Sequence, residues 1–130
     1  MKRGAFTMVE ILVAILLLGT LTAVCLKFFS GVNGQRKEQF AQLVAAQEAA
    51  NVMERLAAVA WDDLPKQSGG QFPLSAQTRK SLPEGRVEIK VSDMSGPPPA
   101  RRVIATVSWR PLPNEPEREA RLVAWRYKQP

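Results

Sequence analysis

The chain has no histidine and a single cysteine, Cys25, so an internal disulfide and any reaction or metal site built on imidazole are excluded. It also lacks a phosphate-cradling glycine loop and any zinc-ligand spacing. Asp62 and Asp63 form an adjacent acidic pair, but a proline-containing stretch follows and no nucleophile or base accompanies them; helix-end or turn chemistry is the expected role. No catalytic constellation remains, so a non-enzymatic chain without a cofactor is expected. Long runs of like charge are missing too. The 18 Lys and Arg outnumber the 12 Asp and Glu, giving a net charge of +6, but the basic residues are scattered. That describes a mildly basic surface, and nucleic acid is not the expected partner.

What the 130 residues do contain is an uneven distribution of apolar side chains, densest near the N-terminus. Ile11 to Leu26 is free of charge, and Ala5 to Val9 extends the run upstream with only Glu10 interrupting. Read as helix from Phe6 to Phe29, the segment has about 24 residues and a length of roughly 36 Å, enough to cross a hydrocarbon core. Lys2 and Arg3 favour a cytoplasmic N-terminus, although Lys27, Arg36 and Lys37 reduce the contrast.

Three simpler readings of this segment compete. A cleavable signal peptide with its cut after Leu21-Thr22-Ala23 would place a large Leu where a small residue is needed. A lipoprotein signal at Cys25 is preceded by Val24 where a small residue is wanted. A plain membrane anchor accounts for length and apolarity but not for Glu10. A carboxylate at a bilayer centre costs about 2.5 to 3.5 kcal/mol, less near the edge, and calls for a partner or for the positive end of its own helix.

The ordered stretch Lys2-Arg3-Gly4-Ala5-Phe6-Thr7-Met8-Val9-Glu10, followed by an apolar helix, resembles the prepilin peptidase motif of type IV pilins and pseudopilins. The motif covers only the start of the chain. The resemblance implies that a membrane aspartic peptidase removes a leader of residues 1–5, that Phe6 becomes the methylated first residue, and that the subunit waits in the membrane until it joins a filament. Cleavage between Ala5 and Phe6 keeps Glu10 at the family's position for its glutamate. The family more often has Gly before the cut, which leaves Gly4/Ala5 as the alternative bond. The resemblance also implies that Glu10 neutralises the free N-terminal amine of a neighbouring subunit.

Beyond the membrane segment, Gln35 to Ala60 is rich in Ala, Gln and Glu, has neither Pro nor Gly, and places Phe40, Leu43, Val44, Ala50, Met53, Leu56, Ala57 and Ala60 at helical spacing. Gly31, Asn33 and Gly34 are expected to kink or loosen one long helix without ending it, and the helix is expected to stop near Trp61. Residues 62–85, with Pro65, Gly69, Gly70, Pro73, Pro83 and Gly85, read as loop with at most a short structured insert. Three strands are expected at Arg86 to Val91, Arg102 to Trp109 and Ala120 to Tyr127. Their connectors are too short for crossover helices, so the strands should be antiparallel. Trp109 and Trp125 are read as core or cross-strand packing residues rather than a binding surface.

The expected fold is α+β: a long N-terminal helix, half transmembrane, packed on a small three-stranded antiparallel sheet, with Phe40, Leu43, Met53 and Leu56 meeting the sheet. The expected organisation is leader 1–5, transmembrane helix 6–29, extramembrane helix 30–61, loop 62–85 and β-meander 86–130. The chain lacks the paired-cysteine loop of major pilins and the acidic calcium loop of major pseudopilins, which points to a minor subunit. Ala49 to Leu56 and Arg102 to Arg110 are similar to segments of type II secretion minor pseudopilin I and related minor pilins. The expected partners are the prepilin peptidase, other pilin or pseudopilin subunits and the bacterial inner membrane, with the C-terminal domain periplasmic. A membrane-anchored periplasmic binding module that never polymerises is the alternative. A weaker one is a DNA-uptake pilin whose Arg101, Arg102, Arg110, Arg118, Arg121 and Arg126 contact phosphates.

Overall fold

The computed structural model of the chain describes residues 7–129, so the expected leader 1–5, with Gly4 and Ala5, and also Phe6 lie outside the described residues. The chain divides into two compact units, residues 1–38 and 39–130. Helix α1, Met8–Ala57, contributes its N-terminal part to the first unit and its C-terminal part to the second. The helix continues through Gly31, Asn33 and Gly34, so the sequence boundary at residues 29 and 30 is not a break in the backbone. It ends at Ala57, short of Trp61. There Ala58 N and Val59 N bond back to Arg55 O and Leu56 O, tightening the last turn, and Ala60 is extended before a 3₁₀ helix, Trp61–Gln67.

The second unit is α+β, with the C-terminal part of α1 packed on an antiparallel sheet. The sheet has four strands, not three: β1 (Gln71–Phe72), β2 (Arg86–Met94), β3 (Ala100–Trp109) and β4 (Arg118–Tyr127), in the order β1-β2-β3-β4. The additional strand, β1, pairs Gln71 with Glu88 and Phe72 with Val87. Two residues between Gly70 and Pro73 are too few for an alternating pattern to register in a sequence. Residues 62–85 are correspondingly more ordered than a loop. They hold most of the 3₁₀ helix, β1 and a short helix α2, Ala76–Ser81, whose N-cap Ser75 accepts a 3.1 Å bond from Thr78 N. Leu64, Leu74 and Leu82 anchor this stretch in the core.

Along α1 the buried positions are Ala45, Glu48, Ala49, Val52 and Leu56, a single stripe at spacings of three and four. Beneath it, the β2–β3 register sets Val87 opposite Val107, Ile89 opposite Ala105 and Val91 opposite Val103, so the inward side chains of both strands coincide. Burying each Val, Leu or Ile here contributes about 1.5 to 3 kcal/mol. Phe40 and Leu43 do not meet the sheet: they are 59% and 65% exposed. At about 100° per residue they lie roughly 140 to 160° round the helix from Ala45. Of the other two residues expected there, Leu56 is buried and Met53 partly so.

Trp109 closes the core at 2% exposure, whereas Trp125 is 55% exposed on the opposite face of the sheet. The β3–β4 register decides this. It pairs the inward Val107, Ala105 and Val103 with Ala120, Leu122 and Ala124, which turns Val123, Trp125 and Tyr127 outward beside Ile104, Arg102 and Ala100.

Several polar groups inside the domain are matched, while Ser92 Oγ and Arg110 Nε are buried without a hydrogen-bond partner. The Glu48 carboxylate, buried in the α1 stripe, accepts from Thr78 Oγ1 at 3.2 Å, and that hydroxyl lies 2.7 Å from Ser75 Oγ at the start of α2. The C-terminal end of α1 has no glycine cap. Instead Arg126 of β4 donates to Leu56 O and Val59 O. Arg101 of β3 donates to Trp61 O and, from Nε, to Asp93 Oδ1 at 2.7 Å, while its guanidinium lies 4.4 Å from the centre of the Trp61 ring.

Gly85 sits where a side chain has no room. A Cβ there would come within 2.8 Å of Leu74 Cδ1 and 2.9 Å of Leu82 O, and the second of these is backbone. Gly85→Ala is therefore expected to lower the stability of the domain by about 1 to 3 kcal/mol. Denaturant unfolding of the full chain in micelles, followed by the signal of buried Trp109, measures this; a change below a few tenths of a kcal/mol would contradict the packing described.

Candidate assembly surface

The first unit consists of helix without a covering layer. Every large apolar residue from Met8 to Phe29 is exposed, the least so Ile11 at 49% and the most Met8 at 84%. The exposed residues point in all directions round the axis, which is the pattern of a helix meant to be surrounded by lipid or by other protein. Among the described residues α1 is the one helix long and apolar enough to cross a membrane, judged by length and composition.

Its backbone and hydroxyls suit that surrounding. Helical bonds satisfy the main chain internally, and the side-chain hydroxyls fold back onto carbonyls of the preceding turn: Thr20 to Leu17 O at 2.9 Å, Thr22 to Leu18 O at 2.7 Å and Ser30 to Lys27 O at 2.9 Å. Cys25 is a free thiol on the exposed surface.

Glu10 lies in the first turn of α1, where Glu10 N and Ile11 N bond to Thr7 O at 3.0 and 3.2 Å. Thr7 before the helix and Glu10 three residues on have the spacing of a capping box, and a carboxylate here is favoured by the helix dipole by about 0.3 to 1 kcal/mol. Among the described residues the Glu10 carboxylate has no ion-pair partner. Around it the next turns present Ile11, Ala14, Ile15 and Leu18. Gly4, Ala5 and Phe6, where the sequence led to the expectation of a peptidase site, fall outside the described residues.

Within the second unit, Phe40 and Leu43 border a groove of about 660 Å³ between α1 and α2, with Glu48, Asn51, Leu74 and Thr78 among its other walls. The six arginines considered as phosphate contacts do not form a common surface. Arg126 and Arg101 turn to the carbonyls at the ends of α1 and the 3₁₀ segment; Arg110, Arg118 and Arg121 lie 3.7, 3.6 and 3.8 Å from Glu84, Glu115 and Glu119; Arg102 stands on the outward sheet face. The buried Glu48 and the capping role of Arg126 had no clear sequence signal, because a Glu in a helix and an Arg in a strand are ordinarily solvated. Ser75 three residues before Thr78 is the one local cue to the α2 cap.

Set against protein-family models, curated proteins and solved structures, the chain matches none.

The apolar first half of α1 makes a direct prediction. A charge at its middle should oppose insertion into a bilayer far more than a charge at its end: Leu17→Arg is expected to shift the insertion equilibrium by about 2.5 to 3.5 kcal/mol and Leu26→Arg by distinctly less. Glycosylation mapping in microsomal membranes reads both, and equal effects at the two positions would argue against a spanning helix.

Proposed function

We propose that this chain is a non-enzymatic structural subunit of a type IV pilus or a type II secretion pseudopilus, trimmed near its N-terminus by a prepilin peptidase and assembled through its N-terminal helix. The observation that carries the reading is the combination of an uncovered, all-round apolar helix bearing one carboxylate in its first turn with a small α+β domain on the same helix. A plain anchor needs the apolar surface but not Glu10. An assembling subunit uses both, because the ammonium of a neighbour's new N-terminus and the Glu10 carboxylate neutralise each other in the same apolar layer.

In this reading the chain resides in the bacterial inner membrane with Lys2 and Arg3 on the cytoplasmic side and the sheet domain in the periplasm. Cleavage falls at Ala5/Phe6, which leaves Glu10 in register, and Phe6 is the residue methylated. The absence of a cysteine pair favours a minor subunit, one that works beside sister pilins or pseudopilins. A non-polymerising periplasmic binding module is the second reading, and the exposed Trp125 and Tyr127 are the observation in its favour. Dispersal of the six arginines over both faces of the sheet and their use in caps and ion pairs weighs against a DNA-uptake role.

Co-expression with a prepilin peptidase, followed by intact-mass measurement of the membrane-extracted chain, is expected to show loss of the first five residues. Retention of the N-terminus under conditions that process a known prepilin would leave only the anchored module. Given cleavage, Glu10→Gln should leave membrane insertion intact while weakening incorporation into sheared filaments by about two to four orders of magnitude, the equivalent of about 3 to 5 kcal/mol for breaking a buried pair. Normal incorporation of that variant would remove the proposed pairing.

A further inference from the structure

Glu48 is a charged side chain that the domain buries without neutralising. It is 8% exposed, in the middle of the α1 stripe. A carboxylate can accept about four hydrogen bonds. Here one is made: Thr78 Oγ1 donates to Oε2 at 3.2 Å, long beside the usual length of about 2.5 to 2.7 Å for a hydroxyl on a carboxylate. The other oxygen, Oε1, has no hydrogen-bond partner among the described residues, and no cation among them pairs with the group. Arg79, on the facing helix α2, donates instead to Leu74 O. Arg55 stands two turns further along α1, about 10 Å on. A buried carboxylate held by a single neutral hydroxyl is costly, and a cation at Oε1 would offset that cost.

The way to that oxygen is the groove of about 660 Å³ between α1 and α2, which Glu48 lines. Val44 and Leu74 line it as well, and Phe40 and Leu43 form an apolar rim that stays mostly in water. Apolar walls, an exposed apolar rim and one recessed negative charge therefore belong to a single depression. Arg55, on the same wall, is exposed to solvent and well separated from the carboxylate, so it screens Glu48 little.

We propose that this groove receives a lysine side chain of a partner protein. The methylene stem lies along Val44 and Leu74, the ammonium donates to Glu48 Oε1, and apolar residues on either side of the lysine cover Phe40 and Leu43. Lysine fits better than arginine: Thr78 already holds Oε2, so a guanidinium cannot take both oxygens side by side, whereas a compact ammonium needs only one. A small free amine would satisfy Glu48 but leave the rim of Phe40 and Leu43 in water. A metal ion would find one carboxylate, and no group of three metal-ligating residues occurs among the described residues. A run of basic residues would meet Arg55 on the same wall. The site belongs to the second unit alone, so it holds whether or not the chain is trimmed or polymerises.

The test uses the full chain in nanodiscs of uncharged lipid and three probes: the capped tripeptide leucyl-lysyl-leucine, the same tripeptide with norleucine for lysine, and n-butylammonium chloride. Binding is read from the chemical shifts of the Glu48 carboxyl carbon and of the Leu43 and Thr78 amides. The lysine tripeptide is expected to move all three signals and to bind more tightly than either other probe by about tenfold or more. Glu48→Gln keeps an oxygen for Thr78 and loses the charge. It should lower the affinity of the lysine tripeptide to that of the norleucine tripeptide, while the Ala105 and Val107 amides of β3 exchange as slowly as before. Phe40→Ser, on the exposed rim, should weaken both tripeptides and leave butylammonium unchanged. Equal affinity of the two tripeptides overturns the proposal. So do butylammonium binding as tight as that of the lysine tripeptide, undiminished binding to the Glu48→Gln chain, or Glu48 shifts that grow with chain concentration before any probe is added.

Discussion

One helix has to satisfy two surroundings, and the rest of the chain is arranged around that demand. Over its first half α1 is apolar on every side, so no orientation of it can hide its surface in water. Over its second half it is apolar along one stripe, Ala45, Ala49, Val52 and Leu56, and polar elsewhere, so a single layer of sheet suffices to cover it. The change of pattern within one continuous element coincides with the division of the chain into two compact units. Packing holds the second part, while the first depends on whatever surrounds it, lipid or neighbouring helices.

The small residues of the stripe explain how so modest a domain closes. Ala45 and Ala49 are fully buried, which lets the helix backbone approach the sheet, and the volume is filled from below by Val87, Ile89, Val103, Val107 and Trp109. The outer edges are then sealed by polar contacts rather than by larger side chains. At one place α1 offers Glu48 to the cap of α2. At the other, Arg126 of β4 meets the carbonyls of Leu56 and Val59 where α1 ends, and Arg101 of β3 meets that of Trp61 in the 3₁₀ segment that follows. A helix end that stops without glycine needs such donors, and the planar, multiply donating arginine serves two carbonyls at once.

The helix and the three long strands were legible because each spans enough residues for its period to repeat. Val87, Ile89 and Val91 alternate cleanly, and so do Val103, Ala105, Val107 and Trp109. β1 was not legible, having only two residues. The phase of β4 was not legible either, for a different reason: both of its faces read as apolar, Ala120, Leu122 and Ala124 on one and Val123, Trp125 and Tyr127 on the other. The larger set suggests the inside, yet the register with β3 puts the smaller set there, where little room remains beside Val103, Ala105 and Val107. Phe40 and Leu43 misled in a similar way, since a helix with large apolar residues on two sides does not say which side meets its own sheet. Of the residues that the motif singles out, Gly4, Ala5 and Phe6 precede the described residues, and the structure describes Glu10 alone.

The energetic position of Glu10 bears directly on the role proposed for it. The dipole of its own helix favours the carboxylate by about 0.3 to 1 kcal/mol. A charge in the hydrocarbon costs up to about 2.5 to 3.5 kcal/mol at the centre and less toward the edge. For a residue in the first turn these two quantities come close to balance if the turn lies among the headgroups, and they fall well short if the turn is drawn inward. A subunit resting in a bilayer can therefore tolerate Glu10 at the membrane surface. Moving the same helix into an apolar bundle removes the headgroups and their water, and the carboxylate then requires a cation from another chain. Under the proposed function the acid would act little on the resting subunit and strongly on the assembled one, the asymmetry that a filament built by withdrawing subunits from a membrane requires.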